Sequence, residues 1–144
     1  MPERAYISRS THLMGATITI SLLPPPNDAQ AERTAEQLLD NVFELLNVYN
    51  QRFSANDANS ELMQVNHAAG KHPVPVDPEL FKLIQIGKEQ SLLPASHLNI
   101  ALGPLVQAWR IGFADARIPN NAEVNHALSL TDPQLIVLDP VNCT

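Results

Sequence analysis

The chain has a single cysteine, Cys143, next to its last residue. No internal disulfide can form, and no thiolate cluster can hold a metal within one chain. Bases are also few: nine Lys and Arg against fifteen Asp and Glu give a net charge of -6 and a pI near 5.2. They are scattered, so the basic stripe that a nucleic-acid partner requires is missing. No apolar run approaches the roughly 20 residues that cross a bilayer. The opening Met1-Pro2-Glu3-Arg4-Ala5-Tyr6 lacks a basic cluster followed by an apolar core, and nothing in it directs export. Together with the lone thiol, this predicts a cytoplasmic protein. The five glycines form no GxGxxG and no P-loop, and GxSxG is absent too.

What is present suits one compact domain. At 144 residues, 44% hydrophobic and 17% charged, the chain can fill one core and not two. Twelve prolines cut it into short pieces, which favours an irregular α+β layout over a regular doubly wound sheet.

From Gly15 to Leu23, Ile18, Ile20 and Leu22 alternate with Thr17, Thr19 and Ser21, the period of a half-buried strand. Ala5 to Ser10 is its expected partner, with Thr11 to Gly15 as the connection. Pro24-Pro25-Pro26 ends the strand. Asn27 or Asp28 caps a long helix to about Phe53, whose Ala35, Leu38, Leu39, Val42, Leu45, Leu46 and Tyr49 form a stripe that should pack on the sheet.

Ser54 to Asn59 reads as a polar loop, and Ser60 as the cap of a short helix, Glu61 to Asn66. Asp77-Pro78-Glu79 opens a helix to about Leu92 that buries Leu80, Leu83, Ile84 and Gly87. A further helix begins near Gly103-Pro104, with Leu105, Val106 and Trp109 on its apolar side and Trp109 anchoring it on the sheet. Asn120-Asn121 caps another through Leu128, and Leu135-Ile136-Val137-Leu138 reads as a short buried strand.

Three places could carry chemistry. Met14-Gly15 combines a glycine that permits close backbone approach with a thioether able to lie against a flat ring. The same pair also reads as a strand entry with a core methionine. Asn56, in the loop after the long helix, offers an amide to a ligand's polar edge, although the segment also reads as a capped surface loop. The third place is Ser96 to Gly112, where a polar His97-Leu98-Asn99, a Gly103-Pro104 break and the only tryptophan crowd together, as in a pocket wall. His67 and His72 do not share a helix face and have no third partner, so they read as solvated histidines. Asp115, Glu123 and Asp132 suit caps or surface positions and form no acid-base pair.

These segments together resemble the amino-terminal half of the ApbE family, the FAD:protein FMN transferases. Met14-Gly15-Ala16 is similar to the family's Met-Gly-Thr, and Phe53 to Leu62 with Asn66 to the segment after its first helix. Ser96 to Gly112 follows the pattern Ser-x-Gly-Ala-Phe-Asp-Ile-Thr-Val-Gly-Pro-Leu-Val, with His97-Leu98-Asn99 in the Ala-Phe-Asp place. The resemblance implies an α+β fold with an antiparallel-rich sheet packed with helices, residues 1–144 being the amino-terminal part of a single T-fold-like domain. It implies transfer of FMN from FAD to a Thr or Ser hydroxyl of a partner flavoprotein, with release of AMP. Met14, Asn56, His97, Leu98 and Asn99 become FAD-contacting candidates.

The family's Mg²⁺ ligands and its Asp-x-Gly-x-x-Lys-Gly stretch have no counterpart here, so catalysis by this chain alone is not expected. Many family members are exported lipoproteins with an early acylated cysteine, which this chain lacks. Two other classes stay open: a non-catalytic flavin-binding module and a small α+β interaction protein.

Overall fold

The computed structural model describes residues 5–144, so the expectation of no export signal falls partly on residues outside it. The fold is α+β, a two-stranded antiparallel sheet and five α-helices among the described residues. The chain divides into two compact units, one ending at Val74 and the other running from Pro75 to Thr144. No helix among the described residues is long and apolar enough to cross a membrane.

The first unit opens with β1 (Ile7–Leu13) and β2 (Ala16–Leu22), paired from Ile7↔Leu22 to Leu13↔Ala16. The expected connection, Thr11 to Gly15, is shorter than the sequence suggested. Met14 and Gly15 have φ of 52° and 78°, a two-residue turn with both central residues left-handed, and Thr11 to Leu13 are thereby free to pair. One sheet face is polar, with Ser8 bonded to Ser21 and Ser10 to Thr19, each at 2.8 Å. The other carries half-buried Ile18, Ile20 and Leu22, as their alternation requires.

Helix α1 (Ala29–Phe53) begins at Asp28, whose Oδ1 accepts the N–H groups of Gln30 and Ala31 at 3.0 and 2.9 Å. It packs against β1 through buried Ala35 and Leu39. Arg9 reaches from β1 to Glu36 and Asp40, with its guanidinium 5.8 Å from the Phe43 ring centre. The apolar stripe is only partly covered: Leu38 and Leu45 are half exposed, and Val42 lies at its open margin. The reason is width. Two strands about 4.8 Å apart shield one side of a helix roughly 10 Å across, and the stripe is broader than that side.

Ser54 and Ser60 then build the turn into α2 (Glu61–Ala68). The Ser60 hydroxyl donates to the Ser54 carbonyl and accepts the Met63 N–H at 3.0 Å, while Ser54 Oγ accepts the N–H groups of Asn56 and Asp57. Ser60 is fully buried. Ser60→Ala should therefore remove a cap and strand a buried carbonyl, costing about 1–3 kcal/mol. Urea denaturation followed by circular dichroism measures this, and an unshifted midpoint would contradict it.

In the second unit α3 (Pro78–Ser91) starts at Asp77, whose Oδ1 accepts the Glu79 N–H at 2.8 Å, and buries Leu80 and Phe81. Leu83, expected inside, is half exposed: two residues after Phe81, it lies on nearly the opposite side of the helix from that buried ring. Helix α4 (Gly103–Trp109) ends at Arg110 with φ 56° and packs on α5 (Asn121–Ser129). Trp109 is half-buried. Asn120 and Glu123 form a reciprocal capping box at the start of α5.

Leu135 to Leu138 is not a strand. Asp132 caps Pro133, a 3-10 turn covers Pro133–Leu135, and Leu135 and Val137 are exposed. Proline after a cap favours that turn, and a short apolar run by itself does not distinguish a strand from other structure. The Lys88 ammonium on α3 donates to the Ile136 carbonyl and ties this segment down.

Candidate functional site

The turn at the hairpin tip places Met14 and Gly15 beside the loop that follows α1. The Met14 N–H donates to Asn50 Oδ1 at 3.0 Å, and a Cβ added at Gly15 would lie 3.4 Å from Asn56 Nδ2. Two of the sequence candidates, Met14 and Asn56, are thus neighbours. The Met14 side chain is 39% exposed, which removes the reading of a core methionine. Asn56 is exposed as well, and its side-chain amide has no hydrogen-bond partner among the described residues. Asn50 was not anticipated as the anchor of this turn. A signal existed: it lies four residues after Leu46, where the stripe of α1 calls for an apolar side chain.

His97, Leu98 and Asn99 lie in the second unit, on a turn between α3 and α4. Ser96 Oγ accepts the Leu98 N–H at 3.1 Å, and the His97 and Leu98 side chains are exposed. Asn99 differs from Asn56. Its Oδ1 accepts the Ala101 N–H and its Nδ2 donates to the Thr131 carbonyl, each at 2.8 Å.

Ser91 supports the same turn, donating to the Gly87 carbonyl at 2.6 Å and accepting the Ile100 N–H at 3.1 Å. Ile100 rests directly on Gly87, where an added Cβ would meet its Cγ2 at 2.7 Å. Leu80, Ile84, Gly87 and Ser91 share one helix face, and its two small members mark this close approach. Sequence reading noted Gly87 without its partner and passed over Ser91.

Asp115 and Glu123 have structural employment. Asp115 receives the Arg110 guanidinium, which holds its carboxyl below the usual range; Arg110 also lies 4.6 Å from the Phe113 ring centre. Glu123 is lowered by the Asn120 N–H and then by Arg117. His67 and His72 are both exposed, His67 in the last turn of α2. Among the described residues no three His, Cys, Asp or Glu side chains gather in a way that could hold a metal. An open apolar groove of about 440 Å³ between Leu22 to Pro25 and Ala31, Ala35 and Leu38 includes none of the candidate residues.

With this geometry in view, the family model described as the ApbE family matches residues 14–143. The chain belongs to the ApbE family. It is 38% identical, over its full 144 residues, to an FAD:protein FMN transferase of Klebsiella pneumoniae (strain 342), of which it covers 43%. A second relative of that name, from Treponema pallidum (strain Nichols), is 35% identical over 94 residues, 65% of this chain and 26% of the relative. The chain therefore spans less than half the length of these relatives.

The fold is shared with the flavinyl transferase ApbE of Pseudomonas stutzeri in its apo form, at a TM-score of 0.72 and 20% identity over 94% of this chain and 42% of that one. It is shared equally with the ApbE protein of Thermotoga maritima, at 0.73 and 20% identity over 96% and 43%. The flavin transferase ApbE of Vibrio cholerae, as an H257G mutant, gives 0.73 and 23% identity over 95% and 46%.

Proposed function

We propose that this chain is the amino-terminal part of an FAD:protein FMN transferase domain and that its share of the work is recognition of FAD. Met14 and Asn56 in the first unit, and the His97-Leu98-Asn99 turn in the second, are the residues assigned to it. The observation that carries this is the state of Met14. At φ 52° it occupies the first position of a turn that favours Asn, Asp or Gly. A left-handed backbone costs a non-glycine residue about 1 kcal/mol, and with its side chain 39% exposed little burial offsets that. Strain held where a side chain faces solvent points to use by a ligand, and a thioether packs well on a flavin or adenine ring.

The transfer itself joins a Thr or Ser oxygen of an acceptor flavoprotein to the FMN phosphorus, breaks that phosphorus's bond to the oxygen of AMP, and passes the hydroxyl proton to a base. Bound Mg²⁺ supplies neutralisation of the pyrophosphate charge in such chemistry. The described residues do not form a magnesium site. Binding and orienting the dinucleotide is the part assigned to this chain.

Isothermal titration with FAD should give saturable heat, and Met14→Asn should trade affinity for stability. The turn gains about 1 kcal/mol because asparagine tolerates the left-handed region, while loss of the sulfur-ring contact weakens FAD binding roughly threefold to tenfold. No heat from the wild-type chain sinks the flavin reading. Equal affinity in the variant removes Met14 from it. Mass spectrometry of an acceptor peptide incubated with FAD, Mg²⁺ and the chain separates transfer, seen as added FMN, from a binding module without catalysis.

A further inference from the structure

The two asparagines among the candidates are in opposite states, and the difference assigns them different work. Asn56 presents an amide with no partner among the described residues. Asn99 has both ends of its amide occupied, the oxygen by the Ala101 N–H two residues on and the nitrogen by the Thr131 carbonyl thirty-two residues on, each at 2.8 Å. It is also only part-buried, so the bonds are not forced on it by lack of water; they link two chain segments.

The surroundings repeat the pattern. Ser96 Oγ holds the Leu98 N–H, Ser91 Oγ holds the Ile100 N–H, and Ile100 sits on the bare backbone of Gly87. Three amides of the turn, at 98, 100 and 101, each have a side-chain acceptor, while the His97 and Leu98 side chains stand exposed.

We infer that Asn99 is a positioning residue: it fastens the 96–101 turn to the segment after α5 and leaves ligand contact to His97 and Leu98. This deepens, and rests on, the reading that FAD meets this turn. An amide with a donor and an acceptor already engaged must break one of these bonds to serve a ligand, and breaking either releases the turn that presents its neighbours. Serine isolates the point. Its hydroxyl oxygen keeps an acceptor for the Ala101 N–H, but it lacks the amide nitrogen that reaches the Thr131 carbonyl.

The test compares the wild-type chain with N99S, N99A, Leu98→Ala and Ser91→Ala, by amide hydrogen exchange without ligand and by titration with FAD. In N99S and N99A, exchange in the 98–101 turn should rise about tenfold or more before any FAD is added, and FAD affinity should fall about tenfold while unfolding stays cooperative. Leu98→Ala should lower affinity and leave exchange at Ala101 unchanged.

Weaker FAD binding with unchanged exchange in N99S would make Asn99 a direct contact and overturn the inference. Raised exchange with unchanged affinity would make it structural only, which also overturns it. Should the Asn99 variants fail to fold, Ser91→Ala, which frees the Ile100 amide alone, carries the same comparison. A wild-type chain that binds no FAD removes the flavin reading and the positioning role with it, whereas exchange in N99S still decides whether Asn99 fastens the turn.

Discussion

Leu39→Ala is expected to destabilise the first unit by about 2–5 kcal/mol, a large share of the roughly 5–15 kcal/mol that holds a typical domain folded. Leu39 is 1% exposed and is the largest fully buried apolar side chain among the described residues. Its companions in this unit's buried core are the small Ala35 and Ala68. Where the surroundings relax only partly, the space an isobutyl group leaves persists as a cavity, and its cost adds to the lost transfer energy.

Leu38, the adjacent residue, is 50% exposed and supplies the control: Leu38→Ala should cost under about 1 kcal/mol. Urea midpoints by circular dichroism separate the two. Similar midpoints for both variants would mean that α1 packs through a different face from the one described.

Where folding signals are local, the sequence could be read closely. The caps at Asp28, Ser60, Asp77 and Asn120 each hold the backbone groups their residue types suggested, because a cap depends on two or three neighbouring residues. The alternation of β2 was equally clear. Reach across the chain was less so. The length of β1 depended on a left-handed turn at Met14, and no Asn-Gly or Asp-Gly pair announced it. The apolar stripe of α1 told which residues could be buried, but not that a two-stranded sheet would cover only part of them. Leu135 to Leu138 had the composition of a strand, while Asp132 and Pro133 fixed a 3-10 turn just before.

The candidate site divides along the same line. Met14 and Asn56 are forty-two residues apart, and only the hairpin's position against the end of α1 makes them neighbours. Residue type alone made Asn56 and Asn99 equivalent donors and acceptors. Their different roles follow from Thr131, far along the chain, whose carbonyl engages one of them and not the other.

Gly87→Val should lower stability by about 3 kcal/mol or more, and the opposing effects at this position make the sign informative. In an open helix, alanine for glycine gains about 1 kcal/mol. Here a Cβ would lie 2.7 Å from Ile100 Cγ2 and 3.2 Å from its Cδ1. The Cγ2 methyl sits on a branched Cβ whose χ1 is stiff, so overpacking of about 1–3 kcal/mol outweighs the helix gain even for Gly87→Ala. Valine adds two methyls to the same contact.

The partner substitutions discriminate between causes. Ile100→Val keeps the methyl at fault and should not rescue Gly87→Ala, whereas Ile100→Ala removes it and should restore the helix gain, a coupling readable in a double-mutant cycle. Additive effects of Gly87→Ala and Ile100→Ala would mean that the two residues do not touch. Because Ile100 follows Asn99 directly, a Cβ at position 87 pushes on the turn that presents His97 and Leu98. Gly87→Ala should therefore also weaken FAD binding while the chain stays folded, and the Ile100→Ala rescue should return stability without returning affinity, since it leaves the turn without its wedge on α3.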